Sequence, residues 1–189
     1  MKKDIILSGV GGQGILSIAT VIGKAALKDG LYMKQAEVHG MSQRGGSVVT
    51  YVRYGDKVYS PIIDKGQADV IISFEKLEAA RYMNYLKKGG KIVVSDQEID
   101  PMPVITGAAE YPENLIEKMK AAGADIDDMD ALSLAMEAGS PKAVNIVLMG
   151  RVSRYFPEIS EEAWLASLEA CVPPKFLEMN KKAFMLGRN

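Results

Sequence analysis

The chain is poor in the side chains that hold metals and clusters. It has one cysteine, Cys171, and one histidine, His39. One thiol closes no internal disulfide, and alone it holds neither an iron–sulfur cluster nor a structural zinc. Scarce cysteine agrees with a cytoplasmic protein. There is no surplus of positive charge either. The 23 Lys and Arg against 24 Asp and Glu leave a net charge of −1. The basic residues are scattered rather than massed in blocks, so no nucleic-acid partner is expected. No apolar run approaches the ~18 residues of a membrane span. The short apolar run near the start is cut off by Asp4 and a glycine turn, too early for a signal peptide. No internal repeat or low-complexity tract is visible.

What is present is an ordinary globular composition. The 189 residues are 48% hydrophobic and 25% charged, enough for one domain with a sizeable core. Ile5–Ser8 reads as a buried parallel strand. The stretch 13–28 reads as a helix apolar around more than half its circumference, ended at Asp29-Gly30. "LYMKQAEV" reads as a second strand. "GSVVTYVRYGDKVYSPII" reads as an antiparallel hairpin near 46–63 with its turn at Gly55-Asp56. Residues 68–74 and 91–96 are further strands, with a helix between them that stops at "KKGG". A helix follows near 111–122, then an edge strand in "GADIDDMDA". A helical tail of about 142–189 is broken at Phe156-Pro157 and Pro173-Pro174. Its apolar stripes (Val144, Ile146, Val147, Leu148 and Val152, then Trp164, Leu165 and Leu168) are mostly core. The expected fold is α/β: a Rossmann-like three-layer domain over 1–189, with a largely parallel sheet and a helical C-terminal segment.

The first candidate site is the turn Gly9-Val10-Gly11-Gly12-Gln13-Gly14 between the first strand and helix. It fits G-x-G-x-x-G in the right context. Such a turn lets backbone approach a phosphate and aims helix N–H groups at an anion. Glu37 stands 23 residues after Gly14, where a dinucleotide fold places its ribose-binding acid. The same glycines also permit a tight turn and close helix–strand packing with no ligand. Gly12 and Gln13 make the loop tighter and more polar than a dinucleotide requires. No Lys-Ser/Thr ending of a Walker loop follows, which sets a P-loop NTPase aside.

The second site is "AEVHGMSQRGGSVV". A polar, glycine-rich run between two strands belongs on the surface, where loops carry function. It supplies Glu37, His39, Gly40, Ser42, Gln43, Arg44, Gly45 and Gly46. Arg44 offers a planar fork for a carboxylate or phosphate. Histidine is the side-chain type that can switch charge near neutral pH, which makes His39 a candidate. The plainer readings stand beside these: a hydrogen-bonded structural histidine, an Arg44–Glu37 or subunit salt bridge, and glycines that only open the turn.

"GVGGQGI", "AEVHGMSQRGGSV", "VYSPII" and "ADVIISFEKLEAARYMNYLKKGGKIVVS", in that order, resemble the gamma-type subunits of 2-oxoacid:acceptor oxidoreductases. "EVHGMSQRGGSV" is similar to the small-subunit branch that acts on indolepyruvate. The resemblance spans about residues 4–150. It implies a complex that decarboxylates a 2-oxoacid oxidatively, transfers the acyl group to coenzyme A and passes electrons to ferredoxin. It also implies that thiamine diphosphate, Mg and the iron–sulfur clusters sit on a large (alpha) subunit, and that this chain binds no cofactor alone. Gly9, Gly11, Gly12, Gln13 and Gly14 match the family's first loop. Glu37, His39, Gly40, Ser42, Gln43, Arg44, Gly45 and Gly46 match its second. His39, Ser42, Gln43 and Arg44 become candidates for facing the partner's active site, and the remaining loop residues candidates for facing coenzyme A or another anion. A hetero-oligomer is implied, with a homodimer for the isolated chain. A gamma subunit acting on pyruvate or branched-chain 2-oxoacids, a free-standing nucleotide-binding protein and a scaffold without chemistry stay open as alternatives.

Overall fold

The computed structural model describes residues 1–40 and 45–189. It begins with strand β1 (Lys2–Val10), helix α1 (Ile15–Lys28), β2 (Tyr32–His39), β3 (Ser47–Gly55), β4 (Ala68–Ser73) and α2 (Lys76–Tyr82). It continues with β5 (Leu86–Ser95), α3 (Met102–Ile105), α4 (Leu115–Ala121) and β6 (Asp125–Met129). Helices α5 (Ala131–Ala138), α6 (Val144–Ser153), α7 (Glu161–Glu169) and α8 (Leu177–Arg188) complete it. The strands form one sheet in the order β2-β3-β1-β4-β5-β6. β1, β4, β5 and β6 pair in parallel, and β3 runs against both β1 and β2. Among the described strands, β3 alone is reversed.

Alternation along the strands divides the core. Ile5, Leu7, Val52, Val70, Ile72 and Val93 face α1 and the tail helices α5 to α8. Ile6, Val49, Tyr51, Ile71, Ile92 and Val94 face α2 and α4. This is the three-layer arrangement expected of a sheet with apolar residues on both faces. The tail stripes are core: Val147, Leu148, Val152, Trp164 and Leu168 are fully buried, while Leu165 packs against that core partly exposed. Tyr54, Phe156, Trp164 and Phe184 pack in a row with ring centroids 6.0, 6.5 and 6.4 Å apart, the first pair edge to face. Helices α6 and α8 cross at Gly150 and Gly187. A Cβ on Gly150 would run into the Phe184 carbonyl, and one on Gly187 into that of Val147. No helix among the described residues is long and apolar enough to cross a membrane.

The hairpin expected near 46–63 needs correction. β3 is antiparallel and begins where expected, but residues 57–63 form no strand. The partner of β3 in the hairpin is β2, which precedes it. Gly55 is in register with Tyr32 on one side and with Lys2 on the other. Both hydrogen-bonding edges of β3 are therefore occupied, and no edge remains for "KVYSPII" to join. That segment instead crosses the sheet, where Ile63 is buried against the α2 face and Arg53 Nη1 donates to Ser60 O at 3.2 Å.

Candidate functional site

β1 is followed by α1 on one face of the sheet, and its parallel neighbour β4 by α2 on the other. Open α/β sheets bind ligands beyond the carboxyl ends of the strands at such a reversal. The first glycine loop lies there, and its own side chains lock it. Gln13 Oε1 accepts from Val10 N–H at 2.7 Å, and Gln13 Nε2 donates to Phe74 O at 3.0 Å, joining the ends of β1 and β4. Gly9 sits beneath this bridge. A Cβ there would lie 2.7 Å from Gln13 Oε1, 2.9 Å from Ile15 Cδ1 and 3.0 Å from Phe74 Cβ. Gly14 takes the N-cap of α1 in the left-handed region (φ 78°), with no side chain capping the helix. Gln13, an odd residue for a dinucleotide loop, is thus a structural clamp.

The second loop leans on the first. Gly11 N–H donates to Gly46 O at 2.8 Å, and Gly45 N–H donates to Gly11 O at 3.2 Å. The two glycine-rich runs, more than thirty positions apart in the chain, therefore meet. Glu37 and His39 project from the same face of β2, two residues apart. They line a cleft of about 350 Å³ together with Gly11, Gly12, Gly14 and Leu16. Both are exposed. His39 Nδ1 lies 2.9 Å from its neighbour's Gly40 O. Thr50 Oγ1 donates to Glu37 Oε2 at 3.5 Å. Ser42, Gln43 and Arg44 lie outside the described residues.

This arrangement weakens the dinucleotide reading. Antiparallel β3 separates β2 from β1, so the Glu37 strand is two strand spacings, about 10 Å, from the glycine-loop strand. The ribose-binding acid of a dinucleotide fold comes from the adjacent parallel strand. A second cleft of about 340 Å³ lies across the first loop, lined by Gly12, Gln13, Phe74, Gln97, Lys142 and Asn145. Lys142 and Asn145 come from the tail, which sequence reasoning left without a part in the site.

A further cluster, also missed in the sequence, lies on the α2 side. Glu75 and Glu78 are 1% and 4% exposed, an unusual burial for two carboxylates. Glu75 caps α2, accepting from Glu78 N–H at 2.8 Å. It also accepts from Ile99 N–H at 3.3 Å and from the Tyr111 hydroxyl. Glu78 accepts from Ser47 Oγ at 2.5 Å and pairs with Arg81 Nε at 3.0 Å. Burial pushes the Glu78 carboxyl above its ordinary value; Ser47 and Arg81 pull it down, and the Glu75 charge adds to the rise. The sequence signal was the spacing Glu75-x-x-Glu78 at a helix start, a capping pattern.

The residues present do not fit an iron–sulfur cluster or a metal–diphosphate. Cys171 is the single thiol. No group of three or more His, Cys, Asp or Glu among the described residues is placed to hold a metal ion. What the site offers is backbone and polar donors around two open clefts, suited to binding and positioning an anionic or polar group.

Fold and site together define an open-sheet α/β protein with two clefts at a sheet reversal, beside two glycine-rich segments that hydrogen-bond to each other. The chain belongs to the pyruvate ferredoxin/flavodoxin oxidoreductase family, whose model matches residues 4–189. It is 46% identical over 195 residues to the indolepyruvate oxidoreductase subunit IorB of Thermococcus kodakarensis, covering 99% of this chain and 95% of that one. It is 46% identical over 194 residues to the subunit of the same name from Pyrococcus horikoshii, with 99% and 95% covered. Among solved structures, the gamma subunit of a keto/oxoacid ferredoxin oxidoreductase from Geobacter sulfurreducens matches with a TM-score of 0.73 and 25% identity, over 98% of this chain and 96% of that one.

Proposed function

We propose that this chain is the small, cofactor-free subunit of an indolepyruvate-type 2-oxoacid:ferredoxin oxidoreductase. The observation that carries the reading is the 46% identity to indolepyruvate oxidoreductase subunits along nearly the whole of both chains. In such a complex the 2-oxoacid loses carbon dioxide, its acyl group passes to the thiol of coenzyme A, and two electrons leave to ferredoxin. Thiamine diphosphate, Mg and the clusters belong to the large subunit. The single cysteine of the chain is too few to hold a cluster, which supports that division of labour.

This chain's part is to bind, orient and enclose. The interlocked loops, with Gly11, Gly12, Gly14, Glu37, His39, Gly45 and Gly46, present their donors to the partner's active-site entrance and to coenzyme A. Arg44, with Ser42 and Gln43, supplies a cation and polar groups for an anionic substrate. Closure of the two subunits over the loops limits water at the reacting centre. The complex works in the cytoplasm.

The test is anaerobic co-expression with the thiamine- and cluster-bearing subunit, followed by coenzyme A-dependent dye or ferredoxin reduction. Indolepyruvate, pyruvate, 2-oxoglutarate and a branched 2-oxoacid are compared. Activity that requires both chains and is highest with indolepyruvate is expected. Arg44→Ala should raise KM for the 2-oxoacid or coenzyme A about tenfold, the effect of one lost charge-assisted contact, with assembly intact. A chain that purifies alone and binds NAD or FAD would return the first loop to a nucleotide role and sink the subunit reading.

A further inference from the structure

On the α2 side of the sheet, away from the two clefts, lies a smaller cavity of about 180 Å³ bounded by Gly45, Gly46, Ser47, Glu78, Arg81 and Met102. Its wall connects the second glycine loop to the buried carboxylates. We propose that Glu78 is a positioning residue for the reaction of the complex: through Ser47 it fixes the β3 end of the second glycine loop, and so sets the surface that Gly45 and Gly46 present to substrate. The inference rests on the subunit reading above.

Three observations carry it. First, the loop re-enters the sheet at Ser47, the first residue of β3, and there its hydroxyl donates to Glu78 Oε2 at 2.5 Å. The neighbouring Gly45 and Gly46 are held to Gly11. The Gly45–Gly46 end of the loop is thus held twice, by backbone bonds to Gly11 and, through Ser47, by a carboxylate on the α2 side. Second, the Glu78 side chain is not needed to cap its helix. Glu75 caps α2, and Glu78 contributes only its backbone N–H to that cap. A buried carboxylate is costly unless it is paired and hydrogen-bonded. Those it makes run to Ser47 and to Arg81. Third, the hub is built into the ends of the central strands. Ser8 Oγ donates to Ser73 Oγ at 3.0 Å and lies 3.4 Å from Glu78 O, while Ser73 Oγ donates to Glu75 O at 2.8 Å. Glu78 therefore stands on a rigid base, which a positioning group requires.

The experiment uses the assembled complex with Glu78→Ala, Ser47→Ala and Glu78→Gln. Two readouts are taken: amide hydrogen exchange at Gly11 and Gly45, whose N–H groups close the loop-to-loop contact, and KM against kcat. Glu78→Ala should speed exchange at both amides and raise KM for the 2-oxoacid or coenzyme A about tenfold, with kcat nearly unchanged, as expected for one lost hydrogen bond to a charged group. Ser47→Ala, which removes an exposed hydroxyl, should move both readouts in the same direction by less. Glu78→Gln keeps an acceptor for Ser47 and should restore most of KM. If Glu78→Ala does not fold, Ser47→Ala decides alone. Unchanged exchange overturns the strut, and faster exchange with unchanged KM overturns its role in the reaction. A parent complex inactive on every 2-oxoacid overturns the function reading instead, while exchange at Gly11 and Gly45 still decides whether Glu78 holds the loop.

Discussion

The two glycine-rich loops meet in space but are held in opposite ways. The first is closed by one of its own side chains. Gln13 folds back onto Val10 and across to Phe74, over a glycine that has no room for a side chain. The second borrows its support, from Gly11 on one side and from Glu78 through Ser47 on the other. The better-known sequence pattern therefore marks the more self-contained scaffold, and the less familiar pattern marks the loop whose shape other elements set. Binding loops mounted on rigid neighbours are a common division of labour.

The comparison breaks most visibly at Gly9. Gly9→Ala places a methyl group against Gln13, Ile15 and Phe74 at once, and should cost about 3 kcal/mol, the upper end of overpacking penalties. Urea unfolding of the chain measures it. Gln13→Ala comes next. It removes both bridging bonds and leaves the Val10 N–H and the Phe74 carbonyl, each part-buried, without that partner, so a loss of about 2 kcal/mol is expected. Its sharper consequence is directional. Because Gly45 and Gly46 bond to Gly11, Gln13→Ala should speed amide exchange throughout both loops, whereas Ser47→Ala should speed it at Gly45 and Gly11, where the loops touch, and leave the Gln13 N–H, bonded to Val10 O, unchanged. Equal loosening of both loops by Ser47→Ala would show that the first loop depends on the second, and the asymmetry would be lost.

Much of this was legible in the sequence. Ile5–Ser8 before Gly9, the apolar helix ending at Gly30, the run "ADVIIS" and the proline-broken tail all report local rules: burial on both faces of a strand, left-handed caps and helix stops. The meeting of the two loops was not legible, because it depends on β3 pairing between β2 and β1. The Gly55-Asp56 turn after the alternating run Val48–Tyr54 suggested "KVYSPII" as a second hairpin arm, but local pattern cannot tell whether a sheet edge is still free. The Glu75–Glu78 hub was hidden for a related reason. Two acids in the first turn of a helix look like solvated charges favoured by the helix dipole, and only the fold reveals that the turn is buried beneath the 96–114 segment and the end of the second loop. The placement of Glu37 shows the converse error. Its spacing from Gly14 matched a ribose-binding acid, yet an inserted antiparallel strand put it one strand too far away.

The smallest expected effect bears on the side of the comparison that borrows its support. Burial holds the Glu78 carboxyl above its ordinary value despite the Ser47 and Arg81 contacts. An acid whose folded-state value is raised binds its proton more tightly folded than unfolded. Its contribution to stability therefore falls as pH climbs from the unfolded value, about 4.3 for glutamate, through the folded one, and the penalty is complete above that. Glu78→Gln removes the titration and keeps the shape. Relative to the parent, it should gain stability as pH rises across that window and hold the gain to pH 8. Urea midpoints for the two proteins, taken side by side from pH 4 to 8, isolate this one group from the other carboxylates. A difference that stays flat across the window would mean that Ser47 and Arg81 fully offset the burial of the charge. The second loop would then be held by a hydrogen bond to a fully compensated carboxylate, as settled as the Gln13 clamp on the first, and the contrast between borrowed and self-supplied support would reduce to geometry alone.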